Sequence, residues 1–175
     1  MINNKLINPK SIVVIGASND VSKPGGKVLK NLLESNFQGN VYAINPKESE
    51  VQGVKCYKSV EELPQVDCAI LAIAAKYCPA TVETLAKEKG TGGYIILSAG
   101  FSEENEIGAQ LEKSIVDSIN SVGGSLIGPN CTGFLNTNYC GAFDAPIPSL
   151  SNQGVDFITG SGATAVFIKE YGMTN

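Results

Sequence analysis

The 175-residue chain contains no histidine, arginine or tryptophan, so all 13 of its basic residues are lysines. These absences exclude any mechanism in which this chain supplies a catalytic histidine, a histidine metal ligand or an arginine finger. Anionic groups bound by this chain must therefore be held by backbone N–H groups, hydroxyl groups or lysine. The 17 acidic residues make the formal net charge −4, and an acidic chain lacks the basic surface typical of nucleic-acid-binding proteins.

Cysteine and long apolar runs are also scarce. The five cysteines are odd in number and form no Cys-x-x-Cys pair, which predicts neither a disulfide framework nor a metal site. The longest apolar run, Cys68 to Ala75, has eight residues, whereas about 20 are needed to cross a bilayer. The amino terminus, MINNKLINPKS, lacks the apolar core of a secretory signal. We expect a cytoplasmic protein with neither nucleic-acid nor membrane partners.

What the chain does contain is an alternation of short apolar runs and segments with an apolar stripe at helical spacing. Such an alternation predicts an α/β fold, in which a parallel sheet carries helices on both faces. Predicted strands cover residues 11–16, 40–45, 54–57, 67–74, 93–98 and 125–128. Between them, Pro79 suits the first turn of a helix and Gly90 its end.

The next predicted helix starts at Ser102, which can cap it, with Glu103 and Glu104 in the first turn, where the helix dipole favours acids. Its apolar stripe predicts a buried face made of Ile107, Leu111, Ile115, Ile119 and Val122.

The character of the sequence changes after the last of these strands. Residues 130–154 are rich in Asn, Pro, Ser and Gly, which predicts a linker or lid. Residues 155–158 then restart a strand, and Gly160 to Ala163 open a helix. A single strand and helix cannot bury both their faces. We therefore divide the chain into a domain at 1–137, a linker at 138–153 and the truncated start of a second α/β domain at 154–175.

In an open parallel sheet, ligands bind at the carboxyl ends of the strands, and the loops there are made of small, turn-forming residues. Gly16 ends the first strand, and Gly25 opens a helix whose first N–H groups can hold a phosphate. The loop is not the G-x-G-x-x-G of NAD sites, and Lys47 follows the second strand where an NAD site has an acid. This pattern favours coenzyme A, with its 3′-phosphate, or less well NADP. Ordinary tight turns and a solvated surface lysine are the alternatives.

Five motifs occur in order: I-V-V-I-G-A-S, V-Y-A-I-N-P-K, G-V-K-C-Y-K-S-V-E-E-L-P, I-L-S-A-G-F-S-E and G-P-N-C-T-G. Together they resemble the CoA-binding domain of NDP-forming acyl-CoA synthetases, relatives of ADP-forming acetate–CoA ligase and of the succinyl-CoA synthetase α subunit. The resemblance covers about residues 8 to 137. It implies a Rossmann-like domain that binds CoA, and a following domain of flavodoxin-like, succinyl-CoA-synthetase-like type.

The resemblance also implies which residues bind the cofactor. The pantetheine and phosphate portion is assigned to Gly16, Ala17 and Ser18, and the adenosine and 3′-phosphate end to Asn45, Pro46 and Lys47. The rest of the cofactor is assigned to Ile73, Ala74, Ser98, Ala99 and Gly100, with Asn130 and Cys131 near the thiol. Ser161 and Gly162 resemble the family's phosphate-binding helix start, although Thr159 replaces its first serine and Ala74 stands where proline is frequent. Cys131 is expected to be structural or adjacent to CoA rather than a nucleophile.

Family members make acyl-CoA from an acid, CoA and ATP through a phosphohistidine. The chain has no histidine, so we assign no catalytic residue to it. ATP or ADP and Mg are expected to bind only to domains outside this chain, and the partners are a small carboxylic acid and the remaining synthetase domains or a β subunit. A stand-alone CoA- or nucleotide-sensing module is the alternative. An NAD-dependent redox protein is disfavoured by Lys47.

Overall fold

The computed structural model describes residues 2–35, 37–144, 147–150, 153 and 155–174. Residues 145, 146, 151 and 152 of the expected linker, and residues 154 and 175 of the expected second domain, lie outside this description. The strands are β1 (Ser11–Ile15), β2 (Asn40–Ile44), β3 (Glu50–Val51), β4 (Val54–Tyr57), β5 (Cys68–Leu71), β6 (Gly93–Ile96) and β7 (Ser125–Ile127). The helices are α1 (Asn4–Ile7), α2 (Pro24–Glu34), α3 (Cys78–Glu88), α4 (Glu106–Ser121) and α5 (Gly162–Thr174), with a 3₁₀ turn at Ala75–Tyr77.

The seven strands form one sheet in the order β3-β4-β2-β1-β5-β6-β7. All neighbours are parallel except β3, which pairs antiparallel with β4. The chain moves outward from β1 to β2 and β4 on one side, and then from β5 to β7 on the other. This is the Rossmann-like parallel arrangement that the sequence predicts.

Both faces of the sheet are covered, because the central strands are apolar on both sides. Every residue of β1 is buried. Val13 and Ile15 pack in the layer that contains α3 and α4, whereas Ile12 and Val14 pack in the layer that contains α2. A continuous apolar run rather than an alternating one is what a strand with helices on both faces requires.

Helix α4 begins later than the sequence predicts. Its N-cap is Asn105, whose Oδ1 accepts a hydrogen bond from the Gly108 N–H at 2.9 Å, and Ser102 lies in the preceding turn. The first turn packs through Gly108, where a Cβ atom would lie 2.0 Å from the Phe101 carbonyl oxygen. Ile107 is therefore turned outward and is 71% exposed. The predicted buried face is correct for Ile115 and Ile119, but Ile107 and Val122 are exposed and Leu111 is only partly buried.

Helix α1, strand β3 and the 3₁₀ turn at Ala75–Tyr77 were not expected from the sequence, and one expected strand is absent. Helix α1 lies against β6, and β3 forms a hairpin with β4. Residues 155–158 form no strand, and Val155 and Ile158 are 95% and 89% exposed. Within the described residues no strand lies beside this segment, so its backbone N–H and C=O groups have no neighbouring strand to pair with.

Residues 139–144, assigned above to the linker, pack against the sheet. Tyr139 is buried, and its hydroxyl donates a hydrogen bond to the Leu6 carbonyl at 2.6 Å. The buried amide of Asn31 in α2 donates to the carbonyls of Ala142 at 2.8 Å and Asp144 at 2.7 Å. A membrane-spanning helix is absent from the described residues, where α4, with 16 residues, is the longest helix.

Replacing Tyr139 with phenylalanine tests whether this segment is part of the folded domain. The substitution removes the donor to a buried carbonyl, so Tyr139→Phe should lower the free energy of unfolding by about 1–2 kcal/mol in urea denaturation. Tyr77→Phe is the control, because Tyr77 is 58% exposed, and it should change stability by less than about 0.5 kcal/mol. Equal effects of the two substitutions would contradict the packing described here.

Candidate functional site

The carboxyl ends of the parallel strands meet at one edge of the sheet. Strand β1 pairs there with β2 on one side and with β5 on the other, and the strand order reverses between β1 and β5. Such a switch point is where open α/β sheets form ligand crevices. The loops that follow β1, β2, β5, β6 and β7 contain all the residues assigned to CoA from the sequence.

The loop between β1 and α2 depends on two glycines that let the backbone approach itself closely. Gly16 has a φ of +85°, and a Cβ atom there would lie 2.5 Å from the Ala72 carbonyl oxygen. A Cβ atom at Gly25 would lie 2.0 Å from the Gly16 carbonyl oxygen. Helix α2 therefore starts directly against the end of the central strand. Its N-cap, Lys23, makes no side-chain capping bond. An anion would therefore not compete with a capping side chain for the N–H groups of the first turn.

The carbonyl groups of this loop are held by side-chain amides from neighbouring elements. The Asn45 amide donates to the Ala17 carbonyl at 2.8 Å. The Gln52 amide donates to the Ser18 and Gly26 carbonyls, each at 2.8 Å. Three carbonyl oxygens that would repel a phosphate are thus paired with protein donors.

In the turn after β2, Asn45 and Lys47 have different roles, although the sequence analysis assigned both to the same end of CoA. Asn45 uses both ends of its amide within the protein, because its Oδ1 also accepts a hydrogen bond from the Lys47 N–H at 2.9 Å. Pro46 and Lys47 are exposed. The ion pairs among the described residues do not include Lys47. Asn45 therefore shapes the turn, and Lys47 presents an uncommitted positive charge at the edge.

Hydrogen bonds also connect the loops on the other side of the switch point. The Ser98 hydroxyl donates to the Ile73 carbonyl at 2.5 Å, and the Asn130 N–H donates to the Ser98 carbonyl at 2.9 Å. Gly100 has a φ of +104°, and a Cβ atom there would lie 3.2 Å from the Ala75 Cβ. Ala74 and Ala99 are exposed on the same two loops.

Glu103 has a different place from the helix-start position expected for it. Its carboxylate accepts hydrogen bonds from the N–H groups of Gly100 at 2.7 Å and Phe101 at 3.2 Å. The hydrogen bond from Gly100 is the main cause that lowers the pKa of Glu103. This side chain closes the loop after β6, and the Gly100 N–H group is therefore already paired within the protein.

Cys131 lies at the far end of the edge, after β7. Its thiol lies 3.3 Å from the Ile96 carbonyl oxygen, to which it donates a hydrogen bond, and burial raises its pKa to about 11. Gly128 supports this turn with a φ of +90°, and a Cβ atom there would lie 2.4 Å from the same Ile96 oxygen. A thiol with this pKa is protonated at neutral pH, which suits a wall of the site better than a nucleophile.

The start of α5 lies beside the loop after β7. A Cβ atom at Gly162 would lie 2.7 Å from the Thr132 Cγ2. Ser161 is exposed, and its N–H donates to the Thr159 hydroxyl at 3.0 Å. An ion pair between Lys169 and Asp144 holds the other half of α5 to the folded domain. The two residues assigned to phosphate binding therefore lie at the same edge as Asn130 and Cys131.

Sequence reasoning missed Gln52 and Thr132. Gln52 stands before Gly53, between Val51 and Val54, and the glycine is a partial signal for a two-residue hairpin turn. That signal predicts the hairpin, but the target of the Gln52 side chain lies more than 20 residues away. No local pattern marks Thr132, because its position follows only from where α5 lies.

Two surface cavities lie at the opposite edge of the sheet, at the amino ends of the strands. One, of about 320 Å³, is lined by Ile2, the end of α4 and the start of β7. The other, of about 390 Å³, is lined by residues 8–10, 37–40 and 137–138. Neither cavity contains a residue assigned to CoA.

Comparison with known proteins identifies the family to which the chain belongs. The CoA binding domain family matches residues 10–137. The α subunit of ADP-forming acetate–CoA ligase II from Pyrococcus furiosus is 45% identical over 159 residues, which are 89% of this chain and 34% of that protein. ADP-forming acetate–CoA ligase I from Archaeoglobus fulgidus is 38% identical over 174 residues, 98% of this chain and 25% of that protein.

A solved structure gives the same result for the fold. The dinucleotide-forming acetyl-coenzyme A synthetase 1 of Ca. Korarchaeum cryptofilum, in complex with phosphate and ADP, superposes with a TM-score of 0.88 at 34% identity. The match covers 98% of this chain and 36% of that one. The chain thus spans about a third or less of the length of these relatives. It belongs to the family of CoA-binding domains, and its resemblance to the ADP-forming acetate–CoA ligases is confirmed.

Proposed function

We propose that this chain is the CoA-binding part of an ADP-forming acyl-CoA synthetase, with acetate as the favoured acid. The whole enzyme would convert an acid, CoA and ATP into acyl-CoA, ADP and phosphate, through a phosphohistidine outside this chain. The observation that carries the proposal is the row of five loops at the switch point, which are joined to one another by hydrogen bonds and close contacts.

The dimensions and the donors of this edge suit an extended ligand with phosphate at one end and a thiol at the other. From β2 to β7 the edge crosses four strand spacings, or roughly 19 Å. Lys47 lies at the β2 end, the uncapped start of α2 lies beside β1, and Cys131 lies at the β7 end. The charged and hydrogen-bonding groups of CoA follow the same order along its length.

Within this proposal each loop has one part of CoA to hold. Gly16, Ala17 and Ser18 would meet the diphosphate and pantetheine, and Lys47 the 3′-phosphate, with Asn45 and Pro46 shaping that turn. Ile73, Ala74 and the Ser98–Gly100 loop would border the pantetheine chain. Asn130 and Cys131 would lie near the thiol, which accepts the acyl group in the full enzyme. Ser161 and Gly162 would face the phosphoryl group.

The remaining parts of the proposal concern the rest of the enzyme. Residues 1–137 would form the CoA domain, and 154–175 would start the next domain. Residues 138–153 would connect the two, with 139–144 packed against the sheet. The nucleotide-binding domains or a β subunit would supply ATP, Mg and the phosphohistidine. We propose the cytoplasm as the location.

Calorimetric titration with CoA and dephospho-CoA tests both the ligand and the role of Lys47. We expect micromolar CoA binding that weakens about tenfold for dephospho-CoA, because a charge-assisted contact to the 3′-phosphate is lost. Lys47→Ala should weaken CoA binding by a similar factor and leave dephospho-CoA binding unchanged. Lys10→Ala is the matched control, since Lys10 is an exposed lysine at the opposite edge of the sheet. NADH binding tighter than CoA binding would contradict the proposal and indicate a redox protein.

Alkylation of Cys131 tests whether its thiol only lines the site or acts as a nucleophile. A pKa of about 11 instead of 9.0 lowers the thiolate fraction at pH 8 about a hundredfold, and higher intrinsic nucleophilicity recovers about tenfold. Iodoacetamide should therefore label Cys131 at least about tenfold more slowly than a free thiol, and the rate should rise with pH towards 11. Mass spectrometry identifies the site, Cys131→Ser is the control, and bound CoA should slow labelling further. A rate that is already at its plateau at pH 8 would contradict this interpretation.

A further inference from the structure

The turn between β3 and β4 places a glutamine in an unfavourable backbone conformation. Gln52 has a φ of +51° and Gly53 a φ of +80°, the pair of positive values that a type I′ hairpin turn requires. Among the described residues, Gln52 and Asn130 are the non-glycine residues with positive φ. Glycine would fit position 52 with less strain, and the contacts of the Gln52 side chain give a reason for a longer residue there.

That side chain joins the loop between β1 and α2 to the first turn of α2. Its amide nitrogen donates one hydrogen bond to the Ser18 carbonyl and one to the Gly26 carbonyl, each at 2.8 Å. The backbone N–H of Gln52 donates to the Asn19 Oδ1 at 2.9 Å. Val51, the preceding residue, is fully buried and anchors the hairpin in the core. Gln52 therefore links the loop to a fixed point of the sheet.

Asn45 holds the Ala17 carbonyl at the start of the loop, and the side-chain hydrogen bonds within residues 18–22 are local and exposed. The Ser18 hydroxyl accepts from the Asp20 N–H, and the Asp20 carboxylate accepts from the N–H and hydroxyl of Ser22. These bonds shape the loop but do not fix it relative to β1 and α2. A loop fixed before the ligand arrives loses less conformational entropy on binding.

We propose that Gln52 is a positioning residue that holds the β1–α2 loop ready for the phosphate groups of CoA, without touching the ligand itself. This inference rests on the proposed function, because it takes CoA as the ligand of the loop. It assigns to the β3–β4 hairpin a role in binding that its position outside the five loops does not suggest.

Two substitutions distinguish an effect of Gln52 on the position of the β1–α2 loop from an effect on the stability of the protein. Gln52→Gly removes the amide and suits the positive φ, so the protein should remain folded with a melting temperature within a few degrees of the original. Gln52→Met keeps the length and neutral charge of the side chain but removes both donors. Gln110→Met, at an exposed site in α4, is the matched control.

Calorimetry and hydrogen exchange give the readouts, with the 175-residue chain throughout. Both Gln52 variants should bind CoA and dephospho-CoA about tenfold more weakly, with the ratio of the two affinities unchanged, because the diphosphate is common to both ligands. Without ligand, peptides covering residues 18–26 should exchange their amide hydrogens faster in both variants. Lys47→Ala differs from them, since it should change the ratio.

The outcomes that overturn the inference are distinct from those that overturn the proposed function. Unchanged CoA affinity in both Gln52 variants, or unchanged exchange in residues 18–26, would show that Gln52 does not position the loop. If the unaltered chain binds neither CoA nor dephospho-CoA, the proposed function fails, and the role of Gln52 in CoA binding fails with it. Weaker binding in Gln110→Met as well would also overturn the inference, because the effect would not be specific to position 52.

Discussion

The contact on which the rest of the site depends is the approach of the first turn of α2 to the end of β1. A Cβ atom at Gly25 would lie 2.0 Å from the Gly16 oxygen, so a residue without a side chain is needed at Gly25 where these elements meet. This approach brings the positive end of a helix dipole to the central strand of the sheet. Because β1 lies at the switch point, the same contact fixes where a phosphate-bearing ligand can cross from one half of the sheet to the other.

Because the chain has no arginine or histidine, the contact between the first turn of α2 and the end of β1 is especially important for binding an anion. With lysine as the only basic side chain, the backbone N–H groups must supply most of the fixed donors. Backbone donors work only where the accompanying carbonyl groups point away from the anion. Asn45 and Gln52 achieve this, because their amides hold the carbonyls of Ala17, Ser18 and Gly26. In the proposed site, the side-chain amides would orient the loop and the main-chain N–H groups would bind the anion.

The elements set by local pattern were predictable from the sequence, and those set by distant contacts were not. Strands such as β1 are apolar throughout, and Gly90, with a φ of +66°, follows α3 as expected. The start of α4 was missed because the Glu103 carboxylate is used by the loop before it. The loops at the carboxyl edge of the sheet were predictable because small residues follow the strands there, whereas the partners of Gln52 could not be predicted from spacing along the chain.

The same helix that presents its first turn to the loop is also connected to α5 through residues 142–144. Near its last turn, the buried Asn31 of α2 holds the carbonyls of Ala142 and Asp144. The Asp144 carboxylate pairs with Lys169 of α5, and these side chains are only 26% and 16% exposed. A partly buried ion pair is screened less by salt than a surface pair. Helix α2 therefore contacts the proposed CoA loop with its first turn, and through residues 142–144 it is connected to the second half of α5.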